Sequence, residues 1–159
     1  MVQNSAPEST GQVRPGKKSG QLGEFTMIVP LKPGGAKRLR EQVLPHASTE
    51  ITDKVGTLHD ARVVIIDDDT RLMFASVFDG DWDQYIDDFA AVASNLDALF
   101  QDTEGYPGIT SPGAKDWLVK YQIEADAFYI AYPEASVQQI KKGQRVLNAW
   151  EELLDASAE

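Results

Sequence analysis

The sequence predicts one α+β domain with an antiparallel sheet, built in the order strand, helix, strand, strand, helix, strand, with a last helix after it. Three observations carry this. Runs of β-branched and aromatic residues alternate with segments whose apolar residues recur at three- and four-residue steps. Pro and Gly stand where one pattern gives way to the next, as at Lys32-Pro-Gly-Gly35 and Gly105-Tyr-Pro-Gly108. The length of 159 residues, with 42% hydrophobic and 25% charged, suits a single domain large enough to bury a core.

Residues 1–22 are rich in Ser, Pro, Gly, Gln and Lys and carry too little apolar surface to offset the entropy of ordering. They read as a disordered tail, with the domain spanning 23–159. The first strand is Glu24 to Leu31, ended by the Lys32–Gly35 turn. Ala36, Leu39, Val43 and Leu44 then recur at helical spacing until Pro45. Thr57–Ile66 and Leu72–Phe78 flank Asp67-Asp68-Asp69-Thr70, the pattern of a hairpin. Trp82, Tyr85, Ile86, Phe89, Ala93, Leu96 and Phe100 form the broadest apolar stripe, expected as one helix opened by Asp79-Gly80-Asp81. A shorter helix is expected at Ala114–Tyr121. Ala125–Tyr132 reads as a fourth strand closed by Pro133. Ser136 and Gln139 form a capping box for a last helix, whose inward stripe is expected to be Ile140, Leu147, Trp150 and Leu154.

This order is the split βαβ, ferredoxin-like arrangement, in which right-handed crossovers put both main helices on one sheet face. The other face then needs a cover. Apolar residues on both parities of the strands point to a homodimer that buries it.

Composition narrows the partners. The 25 acids against 15 bases give a formal charge of −10, which repels a phosphate backbone and argues against nucleic acid. With no cysteine there is no disulfide framework, thiolate nucleophile or zinc-finger site. No run approaches the roughly 18 apolar residues of a membrane helix, and no signal-peptide core is present, so the expectation is a cytoplasmic protein without a membrane partner.

The segments Gly56-Thr-Leu-His-Asp-Ala-Arg62, Phe78-Asp-Gly-Asp-Trp82, Tyr85-Ile-Asp-Asp-Phe89, Glu104-Gly-Tyr-Pro107 and Phe128-Tyr-Ile-Ala-Tyr-Pro133 make the chain resemble a bacterial group in the dimeric α+β barrel superfamily. That superfamily includes cofactor-free monooxygenases, muconolactone isomerase-like enzymes, polyketide cyclases, and haem-binding dye-decolorising peroxidases and chlorite dismutases. Such a fold hosts many chemistries and does not choose among them.

The residues narrow the choice only in part. His59, near the start of the second strand, is placed where a barrel mouth holds a general base, a hydrogen-bond donor or an iron ligand. His46, after Pro45, reads as a solvated loop histidine. Arg62 lies three residues from His59, so the two point to opposite faces unless a bulge intervenes. If His59 faces the barrel, Ala61, Val63 and Ile65 accompany it; if Arg62 does, Asp60, Val64 and Ile66 do. Asp79-x-Asp81-x-Asp83 opens like a calcium loop, but Gln84 and Ala90 stand where that loop needs its glycine and closing acid. No metal site is expected.

Tyr132 joins His59 and Arg62 as a catalytic candidate, and Phe78, Tyr106, Trp117 and Tyr129 are candidates to line a ligand pocket. Three readings emerge. The chain binds, and transforms without a cofactor, a small apolar organic ligand in a pocket behind the sheet. Alternatively, it is a peroxidase-like haem protein with His59 as axial ligand. The third reading is a non-catalytic dimeric accessory module.

Overall fold

A computed structural model describes residues 16–46, 54–92 and 94–157 of the chain. The strands are β1 (Lys18–Ser19), β2 (Leu22–Pro30), β3 (Leu58–Ile66), β4 (Arg71–Asp79) and β5 (Gln122–Ile123). The helices are α1 (Gly35–Arg38), α2 (Trp82–Ala91), α3 (Ser94–Phe100), α4 (Ala114–Tyr121) and α5 (Val137–Ser157). The architecture is α+β, with an open antiparallel sheet in the order β1-β2-β4-β3; β5 pairs with β2 on the remaining stretch of its outer edge.

Alternation along the two central strands creates the core. Phe25, Met27 and Val29 of β2 stand beside Ser76, Phe74 and Leu72 of β4, and these six side chains are all buried. The helices α2 to α4 and the turn that continues α1 through Leu39 cover this face, with Leu39, Trp82, Ile86, Phe89, Leu96 and Leu118 joining one apolar cluster. Aromatic rings lock α2 to the sheet. Phe78 and Tyr85 stack 4.0 Å apart and 5° from parallel, and Tyr85 meets Phe89 edge-on at 4.6 Å. Gly23 makes room for this stack, because a Cβ there would lie 2.8 Å from Cζ of Phe78. The Tyr85 hydroxyl donates to Ser76 Oγ at 2.6 Å. Burial pushes that phenol well above its ordinary pKa, so it stays protonated and able to donate.

The hairpin forms as expected. Asp67, Asp68 and Asp69 adopt φ of 52°, 50° and 69°, a left-handed conformation that Asp tolerates better than most residues. The Thr70 amide closes the turn on Asp67 O at 3.1 Å, and Arg40 holds Asp69 through two hydrogen bonds of 2.7 and 2.6 Å.

Other expectations need correction. The sheet takes in Lys18–Ser19 and the fully buried Leu22, residues that composition alone assigns to the tail. The first helix is α-helical only over Gly35–Arg38, continuing as a π-helical stretch at Leu39–Val43 and a 3-10 turn at Leu44–His46, where Pro45 withholds an amide. The long second helix is two, α2 and α3. Val92 leaves helical geometry at φ −106°, ψ 24°, so the apolar stripe is divided between two axes; Ala93 lies outside the described residues. The fourth strand is only Gln122–Ile123 rather than Ala125–Tyr132. Beyond it the edge of β2 is occupied by β1, and the chain runs outside the ladder, tied by Gln21 N to Pro133 O at 3.0 Å.

The last helix also departs from expectation. Its capping box closes, with Ser136 N donating to Gln139 Oε1 at 2.8 Å and Gln139 N to Ser136 Oγ at 3.2 Å. Its stripe does not face inward: Ile140, Leu147, Trp150 and Leu154 are 41–57% exposed. The helical face of the sheet is already covered by α2 to α4 and the turn through Leu39, and α5 keeps only Val137 buried.

Tyr85→Phe removes the donor to the buried Ser76 hydroxyl while keeping the ring stack. It should cost about 1–2 kcal/mol, seen as a lower midpoint in urea unfolding with an unchanged slope. A midpoint equal to that of the wild type would show that the bond contributes nothing net.

Candidate functional site

The site begins with an irregularity in β3. Pairing of β3 with β4 slips between Leu58 and Asp60, so Leu58 stands opposite Phe78 and Asp60 opposite Val77, with His59 as the extra residue. This bulge is the condition under which His59 and Arg62 can share a face. Downstream of it Ala61, Val63 and Ile65 stand opposite Ser76, Phe74 and Leu72 on the helical face. Asp60, Arg62, Val64 and Ile66 belong to the outer face, beside Val77, Ala75, Met73 and Arg71. The parity left open by periodicity is thus resolved.

His59 reaches Asp79, the last residue of β4, with Nε2 2.7 Å from Oδ1. The other oxygen of Asp79 accepts the amide of Val137, the first residue of α5, at 2.9 Å. One carboxylate therefore joins the bulge of β3 to the amino end of α5, where a negative charge is favoured by the free amides and the helix dipole. Both side chains are mostly enclosed, His59 at 12% and Asp79 at 14% exposure. Gln138 adds a bond from Nε2 to Gly56 O at 3.2 Å. Arg62 is directed elsewhere: its Nε pairs with Asp60 Oδ2 at 2.9 Å on the exposed surface.

The remaining candidates do not meet at this junction. Phe78 is buried in the core against Tyr85. Tyr106 and Trp117 lie on the helical side, 4.9 Å apart and edge-on, with Trp117 Nε1 donating to Glu104 O at 2.9 Å. The Tyr106 hydroxyl donates to Asp97 Oδ1 at 2.6 Å, and burial together with that carboxylate pushes its pKa upward. Tyr129 and Tyr132 are 91% and 75% exposed on the segment that leaves the sheet. His46 is exposed.

Between sheet and helices the described apolar side chains pack into one cluster. A cavity of about 20 Å³ lies among Phe25, Phe74, Phe89, Leu96, Phe100 and Leu118. It has the size of roughly one water and an apolar lining, so it offers no room for an organic ligand. The acids of the calcium-like run are dispersed: Asp79 serves His59 and α5, Asp81 accepts from Lys18 Nζ at 2.7 Å, and Asp83 from Lys115 Nζ at 2.9 Å. Lys18 holds the Asp81 carboxyl below its usual range. Among the described residues no three His, Asp or Glu side chains cluster as a metal cradle would require, and no helix is long and apolar enough to cross a membrane.

Two polar residues escaped the sequence reading. Asp79 looked like the start of the helix just after it, yet it serves the helix nearly sixty residues later. Glu24 is 4% exposed on the outer face, where its carboxylate accepts from Lys17 N, Thr26 Oγ1 and Ala125 N at 3.2, 2.8 and 3.3 Å. It ties β1 and the segment after β5 to β2. A lone acid among apolar residues at the start of a strand was the available signal.

No family model, curated protein or solved structure matches the chain.

Asp79→Ala should destabilise the protein by about 2–3 kcal/mol, since it removes both a helix cap and the partner of His59. Amide exchange at Val137 should accelerate. In His59→Ala the cap persists, so that amide should stay protected; loss of protection in both variants would show that the cap depends on the histidine.

Proposed function

We propose that the chain is a non-catalytic homodimeric assembly module built on a ferredoxin-like domain. The observation that carries this reading is the apolar surface its own fold leaves uncovered. On α5, Ile140, Val146, Leu147, Trp150, Leu153 and Leu154 are 41–63% exposed, and Val64 on the outer sheet face is 41% exposed. Burying each such side chain is worth roughly 1.5–3 kcal/mol, and a continuous apolar stripe of this extent is characteristic of an interface. The sheet order, with helices on one face and β3 at the end of the described ladder, supports the fold assignment. The cavity of about 20 Å³ among the described core residues is too small for an organic ligand, which favours assembly over binding there.

Sedimentation equilibrium at micromolar concentration should return the mass of two chains, for the wild type and for His59→Ala alike. A wild-type chain that sediments as a monomer overturns the reading.

A second reading, binding of a small apolar organic molecule, is favoured by the position of the His59–Asp79 pair. It lies at the end of the outer face, where Val64 is exposed and Met73 half-buried, and a second copy would close that face into a chamber. Under this reading the dimer should bind an apolar fluorescent probe such as anilinonaphthalene sulfonate at one saturable site per chain, and His59→Ala should weaken binding at least tenfold. Hemin added to both proteins provides the haem arm: a Soret band present in the wild type and lost in the variant would favour His59 as an iron ligand.

A further inference from the structure

We propose that α5 is the dimerisation element and that it pairs antiparallel with α5 of a second copy, setting Gly143 of one chain against Trp150 of the other. This rests on the homodimer reading above and adds which surfaces meet and in what direction.

Three features of α5 point to this arrangement. First, the helix has little of its own body to pack on: apart from half-buried Lys141, residues 138–157 are exposed. An isolated amphipathic helix is marginal in water, so its apolar stripe requires a partner. Second, the stripe carries a knob and a hole. At 3.6 residues per turn, Gly143 and Trp150 lie within about 20° of each other, at the centre of the stripe. Trp150 is 57% exposed, and a Cβ on Gly143 would meet no atom within 4 Å. A glycine inside a helix costs roughly 0.5–1 kcal/mol relative to alanine, a cost offset if a bulky side chain from outside occupies the gap. An antiparallel two-fold pair does this twice, since each Trp150 then reaches the other chain's Gly143.

Third, charge sets the direction. The amino-terminal half of α5 carries Lys141, Lys142 and Arg145, and the carboxy-terminal half Glu151, Glu152 and Asp155. Of these, Lys142 and Glu151 flank the stripe about 90° from its centre and the others lie on the far side of the helix, so the charge acts as a gradient along the axis. Antiparallel pairing therefore sets basic halves beside acidic halves, whereas parallel pairing sets like beside like. In the register that matches Gly143 with Trp150, Leu147 falls beside the partner's Leu147 near the two-fold axis, and Ile140 falls beside the partner's Leu154.

The chain has no cysteine, so single cysteines report on this register without background. Leu147→Cys should cross-link to itself under mild oxidation and run at twice the chain mass on a non-reducing gel. Ile140→Cys alone and Leu154→Cys alone should stay uncrosslinked, because each is separated from its own copy by roughly 20 Å along the pair at 1.5 Å per residue. An equal mixture of these two, after subunit exchange, should cross-link. Self-linking of all three variants means parallel helices and overturns the proposal. A wild-type dimer in which neither Leu147→Cys nor the mixture links means that α5 packs elsewhere, and overturns it while leaving the homodimer standing. A monomeric wild type overturns both.

Discussion

The stack of Phe78 on Tyr85 over Gly23 is the constraint around which the rest of the molecule is arranged. A parallel contact at 4.0 Å joins the end of β4 to the first turns of α2 and leaves no space for a side chain on β2 at that point. Tyr85 extends the lock through its bond to Ser76 and its edge-on contact with Phe89. Aromatic pairs of this kind contribute roughly 0.5–1.5 kcal/mol beyond the area they bury. Because α2 is held this closely, α3 and α4 close over Phe74, with Phe100 of α3 meeting its ring edge-on at 5.6 Å, and a cavity of about 20 Å³ lies among these side chains.

A covered helical face has consequences on the other side. The chain still carries a long apolar stripe after Pro133, and in α5 only Val137 is buried. Asp79 sets where that stripe goes. Residue 78 belongs to the core and residue 79, by alternation, to the outer face, where its carboxylate receives the first amide of α5 and the imidazole of His59. The bulge at His59 is what brings that ring to the outer face. The same carboxylate thus starts α5 away from the helical layer, and Glu24 fastens the segment that leads there. The histidine that most resembles a chemical group shares, within one chain, the carboxylate that caps the helix proposed to join two chains.

The strands β2, β3 and β4, the Asp67–Asp69 turn, the helix at Ala114–Tyr121 and the capping box at Ser136 were legible in the sequence, since each is set by neighbours within a few residues: alternation, turn chemistry, or a reciprocal bond between side chain and amide. The break at Val92 was not, because a stripe shared by two helices has the same spacing as a stripe on one. Nor was the fate of Ala125–Tyr132, whose β-prone composition is real but whose place on the edge of β2 is partly taken by β1. Of the candidate site, the sequence singled out His59 and the need for a bulge. It had no means to supply Asp79, whose partners lie 20 residues before it and 58 after.

The sequence by itself determined the α+β class, the hairpin, the acidic charge that disfavours nucleic acid, and the amphipathic character of the last helix, because these depend on composition and on periods of two and 3.6 residues. Only the tertiary structure decided which face of β3 turns inward, that the aromatic candidates scatter instead of converging, and that the stripe of α5 points away from its own core. Those outcomes depend on a one-residue slip in strand pairing and on how α2 to α4 pack against the sheet, features that exist only once distant segments have packed together.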